Sequence, residues 1–167
     1  MRKTSFANMN CSIAQSLEII GEWWTLLVLR DSFLGIRRFD DYVERLGISR
    51  NVLTNRLDTL VDAGILERHP YDEDRSRYDY VLTDKGRALW PVMVTLRQWG
   101  DEWILGPGNE PLLLEHRGHG HHTTAQLTCD VCGEQLDARS VRAVDGPGAK
   151  TDSKPSSRDA SERKQPR

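Results

Sequence analysis

The stretch Ile48 to Gly64, ISRNVLTNRLDTLVDAG, decides how this chain is read. Ser49 suits a helix N-cap, because its hydroxyl can accept a bond from a first-turn amide that has no partner within the helix, and Gly64 suits a left-handed stop. A helix is therefore predicted over 50–63. At helical periodicity Val52, Leu53, Leu57, Leu60 and Val61 share one face. Asn51, Thr54, Asn55 and Asp58 point away, flanked by Arg50 and Arg56, so the outward face is short, polar and rich in hydrogen-bonding groups.

Upstream, Phe39, Tyr42, Val43 and Leu46 repeat at helical spacing, and Gly47 breaks the chain just before Ile48. Helix, tight turn and helix is the arrangement that sets a second helix in a DNA major groove. Downstream, Ile65, Leu66, Tyr71, Tyr78, Tyr80 and Leu82 form two short strand-like runs around the polar segment Asp72 to Arg77. A β-hairpin in that place is a wing. Its tip carries Arg75 and Arg77, whose guanidinium groups suit phosphates or a narrow minor groove, although Asp72, Glu73 and Asp74 dilute the local charge. The predicted fold is mainly α with a small β-hairpin wing. It is a winged helix-turn-helix with helical dimerisation extensions and a small C-terminal segment patterned like a zinc ribbon.

GEWWTLLVLRDSFLGIRRFDDYVERL, then ISRNVLTNRLDTLVDAGILER, then YDYVLTDKG resembles the HxlR-type family of bacterial winged-helix regulators, relatives of the MarR group. The resemblance begins near Cys11 and runs to about Trp103. It implies a homodimeric, sequence-specific transcription regulator, usually a repressor, often responding to electrophiles, oxidants or small metabolites. In this family a cysteine at the Cys11 position is common, and some members form an intersubunit disulfide or an adduct through it. In this chain Cys11 stands at the start of the first predicted helix, where helix-end amides and nearby Arg2 or Lys3 would lower a thiol pKa. The competing reading is an inert small hydrophobe.

Composition sets bounds on the partners. The 167 residues suffice for one compact domain with appendages, and the formal charge of −2 excludes a bulk polycation. DNA affinity must come from a local surface, for which the candidates are Arg37, Arg38, Ser49, Arg50, Asn51, Thr54, Asn55, Arg56, Arg75 and Arg77. Asparagine suits adenine and arginine suits guanine where the geometry is bidentate. No apolar run follows Arg2 and Lys3, and the cluster Trp23 to Leu29 falls far short of the ~20 residues a bilayer needs, so a cytoplasmic protein with a buried helix there is expected.

From Thr83, a plausible N-cap, a long helix is predicted toward Trp103, bent by Pro91, with Leu89, Val92, Leu96, Trp99 and Trp103 as a seam that wants a partner helix. Ile13, Leu17 and Ile20 would provide a second interface element. A two-fold dimer presents two recognition helices to an inverted-repeat operator about one DNA turn apart, ~34 Å.

Beyond Gly106, Pro107 and Gly108 the chain reads HRGHGHHTTAQLTCDVCGEQL. His116 and His119 with Cys129 and Cys132 make two knuckles that would hold a structural zinc in a closed tetrahedral site. His121 and His122 are rival ligands; a reversible CxxC disulfide and a metal-free remnant are the alternatives. No cofactor is otherwise required. Three segments are expected: a DNA-binding and dimerisation domain over 1–105, the knuckle extension over 106–145, and a disordered tail over 146–167. No convergent set of catalytic groups is visible, so an enzyme is not expected. A winged-helix docking adaptor without specific DNA binding is the alternative function.

Overall fold

The computed structural model describes residues 5–72 and 77–149. Six helices come in chain order: α1 (Ser12–Ile20), α2 (Trp23–Phe33), α3 (Phe39–Leu46), α4 (Arg50–Asp62), α5 (Asp84–Arg87) and α6 (Trp90–Gly100), the last running into a π-helical turn, Asp101–Leu105. The hairpin β1 (Leu66–Asp72) and β2 (Arg77–Leu82) lies between α4 and α5. A second, shorter hairpin pairs β3 (Leu114–Glu115) with β4 (His122–Thr123).

The local signals act as their chemistry dictates. The Val52 amide donates to Ser49 Oγ at 3.4 Å, and α4 ends through Ala63 into Gly64, whose φ of +66° a side chain would resist. Lys85 Nζ donates to the Ala63 carbonyl at 2.7 Å, satisfying an acceptor at the negative end of the helix. Leu53, Leu57 and Leu60 of α4 are fully buried with Val28, Leu29 and Tyr42, while Ile48, Ile65, Leu66 and Tyr80 close the core. Val52 departs from the predicted apolar face and is exposed. It lies about 100° round the helix from Leu53, at the margin of the stripe.

Helix α2 is only partly the buried helix the sequence predicts. Val28 and Leu29 are core, but Trp23 is 92% exposed. Its Asp31 is fully buried and meets Arg30 Nη2 at 2.8 Å and Arg45 Nε of α3 at 3.5 Å. Nearby, Tyr42 donates to the Ile36 carbonyl at 2.7 Å and lies 2.8 Å from Ser32 Oγ, so α3 is pinned to α2 by polar groups as well as by packing. Burial pushes the Tyr42 hydroxyl up to about 12.

The single long helix expected from Thr83 is two helices. Thr83 does cap the first, its Oγ1 accepting from the Gly86 amide at 3.1 Å and donating to the Gly64 carbonyl at 2.7 Å. Ala88 and Leu89 interrupt the pair, and Pro91 stands in the first turn of α6, where its missing amide costs nothing. Gly86 packs against backbone: a Cβ there would sit 2.2 Å from the Ile65 carbonyl oxygen. The described residues up to Leu136 form one compact unit, and those from Asp137 onward belong to a second. Residues 150–167, most of the expected tail, lie outside the described residues. Among the described residues no helix is long and apolar enough to cross a membrane.

Candidate nucleic-acid interface

The polar face of α4 stands open. Asn51, Thr54 and Asn55 are exposed, and no side-chain hydrogen bond within the described fold occupies them. Beneath them Leu53, Leu57 and Leu60 hold the helix on the core, so the polar face is presented by rigid backbone. Amide and hydroxyl groups on such a face can pair with base edges.

The predicted arginines divide according to their partners. Arg50 Nη2 lies 2.9 Å from Asp40 Oδ1, and its guanidinium stacks 4.9 Å from the Phe39 ring centre, tying the start of α4 to the start of α3. Arg56 turns back to Glu22 at 3.6 Å and is only 20% exposed. Arg56, predicted beside Asn55 at the DNA surface, is ion-paired in this fold. The first pair joins α4 to α3 and the second joins α4 to the N-cap of α2.

The wing is broader than a hairpin. The segment before α3 lies against β2: the Tyr80 amide donates to the Arg37 carbonyl at 2.8 Å, and Arg38 pairs with Asp79 as an antiparallel bridge. The Arg38 guanidinium sits 4.8 Å over Tyr71 and 3.7 Å from Asp79 Oδ1, whereas the exposed Arg37 meets no carboxylate within 4.0 Å among the described residues. β1 and β2 pair from Leu66 with Leu82 to Asp72 with Arg77, with an irregularity between Pro70 and Asp72. Arg77 is exposed at the outer end of β2; Arg75 lies outside the described residues. Arg68 of β1, which sequence reasoning missed, pairs with Asp58 of α4 and stacks 5.8 Å from the Tyr80 ring centre, fixing wing to helix.

The remaining predicted sites fare differently. Cys11 is exposed at the N-cap of α1, and its side chain makes no capping hydrogen bond. His116 and His119 lie 4.7 Å apart by ring centres in one turn, closed by the His119 and Gly120 amides donating to the His116 carbonyl. His121 stacks on them at 5.6 Å and 5.7 Å. Cys129 and Cys132 share a second turn, in which the Cys132 and Val131 amides lower the Cys129 pKa. Among the described residues no group of three or more His, Cys, Asp or Glu is arranged to hold a metal ion. The predicted set of His116, His119, Cys129 and Cys132 is thus not gathered as one cluster of ligands among the described residues.

A core-anchored second helix with an open polar face, braced to a wing, defines a winged helix-turn-helix of the DNA-binding class. The family model for HxlR-like helix-turn-helix proteins matches residues 19–106. An uncharacterized HTH-type transcriptional regulator of Mycobacterium tuberculosis is 45% identical over 139 residues, covering 83% of this chain and 88% of the relative. The crystal structure of PA1607, assigned as a transcription factor, is similar with a TM-score of 0.75 and 36% identity, covering 84% of this chain and 99% of that one. The redox regulator HypR in its reduced form is more distant, with a TM-score of 0.51 and 27% identity over 54% of this chain and 90% of that one. The chain belongs to the HxlR-like helix-turn-helix family and is a transcriptional regulator with a helix-turn-helix domain.

Proposed function

We propose that the protein is a homodimeric repressor that binds an inverted-repeat operator in the cytoplasm and is released by a small-molecule, electrophile or redox signal. The observation that carries the DNA half of this reading is the open face of Asn51, Thr54 and Asn55 on a core-anchored α4. Ser49 and Arg50 start the helix, Arg37, Arg38 and Arg77 lie along the wing side, and Arg75 is assigned to the wing tip on sequence alone. Asparagines there read bases, while wing and loop arginines hold phosphates.

Dimerisation is supported by apolar surface that the chain leaves uncovered. Ile13 and Leu17 on α1 are exposed, as are Leu96 and Trp99 on α6 and Trp103 beyond it, the last 70%. Leu89, the first member of the predicted seam, is the exception, since it packs on the core. An exposed run of this size marks an interface. Cys11 stands at the N-cap of α1, the helix that carries the exposed Ile13 and Leu17, so an electrophile or oxidant that reached it would act at the start of that interface element; the similar HypR is named a redox regulator.

The test is a titration of the purified protein with the DNA upstream of its own gene and with a scrambled duplex of equal length, at physiological salt. A preference of roughly a thousandfold supports operator binding. Equal, salt-sensitive binding to both, with no enriched site in a random library, overturns it.

A further inference from the structure

The backbone of Arg37 is held on both sides. Its carbonyl accepts the Tyr80 amide of β2 at 2.8 Å. The peptide unit on its other side, joining Ile36 to Arg37, is held through the Ile36 carbonyl, which accepts the Tyr42 hydroxyl at 2.7 Å. Two planar peptide units fix the direction of the Cα–Cβ bond between them, so these two bonds set where the Arg37 side chain leaves the backbone. Just upstream, Gly35 turns the chain at a φ of +91°, and the Gly35 and Ile36 amides donate to the Ser32 and Asp31 carbonyls, both at 3.0 Å.

The hydroxyl does this from inside the core. Tyr42 is fully buried, and its oxygen lies 2.8 Å from Ser32 Oγ, which in turn lies 2.9 Å from the Val28 carbonyl oxygen. A phenylalanine would fill nearly the same volume, so packing accounts for the ring and not for the hydroxyl. A buried tyrosine hydroxyl needs a partner, and here the partner is the loop that carries Arg37. Arg37 is exposed and meets no carboxylate within 4.0 Å among the described residues, whereas Arg38, Arg50 and Arg56 each face one. Its charge is therefore open to a phosphate. A loop fixed before binding spares the cost of ordering it on the DNA.

We infer that the Tyr42 hydroxyl is a positioning group for DNA binding, holding Arg37 through the Ile36 carbonyl in the orientation that meets the phosphate backbone. The inference rests on the DNA-binding reading and assigns a core residue to it.

The test titrates the full chain with the duplex upstream of its own gene and with its scrambled counterpart, by fluorescence anisotropy across a salt series. Parent, Arg37→Ala, Tyr42→Phe and the double variant are compared, each checked for an unchanged far-UV spectrum. Arg37→Ala is expected to weaken both duplexes alike, roughly three- to tenfold, and to lower the salt slope by about one per bound protomer. Tyr42→Phe should lower affinity and slope in the same direction although it removes no charge, and should change neither in the Arg37→Ala background. A hydroxyl that only stabilised the core would leave the slope alone. If Tyr42→Phe does not fold, Ser32→Ala, which removes the neighbour that orients the hydroxyl, goes through the same cycle with the same expected result. An unchanged slope, or losses that add in the double variant, overturns the inference and leaves DNA binding standing. A parent that binds neither duplex overturns both.

Discussion

Arg56 of α4 reaches back to Glu22, the N-cap of α2, with Nη1 3.6 Å from Oε2 and its side chain 20% exposed. The contact joins α4 to the junction between α1 and α2 and holds the Arg56 cation against a carboxylate.

Neutralising the acid should release that cation. Glu22→Gln is expected to raise affinity for unrelated DNA about two- to tenfold and to steepen the salt slope by about one, because Arg56 gains access to phosphate. The ratio of specific to nonspecific affinity falls accordingly. Fluorescence anisotropy on two duplexes across a salt series measures both, and unchanged slopes would remove the brace from the account.

Much of this arrangement was legible in the chain. Ser49 and Thr83 cap their helices through amides three residues on and Gly64 through its own φ of +66°, so these roles follow from local sequence, and the apolar spacing of Leu53, Leu57 and Leu60 located the core face. Pro91 gave the place of the break but not its form, since a proline in a first turn starts a helix instead of bending one. The pairs Arg56 with Glu22, Arg68 with Asp58 and Arg38 with Asp79 were not legible. Each joins residues distant in sequence through side chains whose choice of partner only the packed fold decides. The Cys129 environment was hidden for a related reason, as it depends on where backbone amides point.

The exposed run on α6 makes a prediction about assembly. Leu96→Glu with Trp99→Glu places charge where burial is proposed, and neither residue belongs to the monomer core. Sedimentation velocity should show a monomer with an unchanged far-UV spectrum. Operator affinity should fall on the order of a hundredfold as one half-site is lost. A dimer that persists would place the interface elsewhere.

Tyr42 gives a pH signature. In the unfolded chain its hydroxyl ionises near the ordinary 10.0, and in the fold near 12, chiefly because burial disfavours the phenolate. The folded state therefore holds a proton that the unfolded state releases, and its contribution is whole below pH 10.0 and fades as pH rises toward 12. The loss amounts to about 2–3 kcal/mol. Tyr42→Phe should cost about 1–2 kcal/mol at neutral pH and lack this part of the alkaline decline. Parallel urea-midpoint curves for the two proteins between neutral and alkaline pH would contradict the assignment.

Cys129 should be a reactive thiol. The Cys132 and Val131 amides stabilise its thiolate, so its alkylation by iodoacetamide is expected to persist to lower pH than that of N-acetylcysteine. Peptide mass mapping after a brief, limiting exposure locates the label. A pH profile matching the free thiol would mean that the amides do not reach the sulfur in solution.

Selection from a randomised duplex library, run in parallel on the parent protein, Asn55→Ala and Arg77→Ala, measures whether the open face of α4 reads DNA sequence. The parent is expected to enrich an inverted repeat. Asn55→Ala should enrich a repeat with relaxed preference at one position in each half-site, costing about 1–3 kcal/mol there, whereas Arg77→Ala should enrich the parent's repeat with uniformly weaker binding. No enriched motif from the parent, or an identical motif of undiminished stringency from Asn55→Ala, would mean that this face does not read sequence.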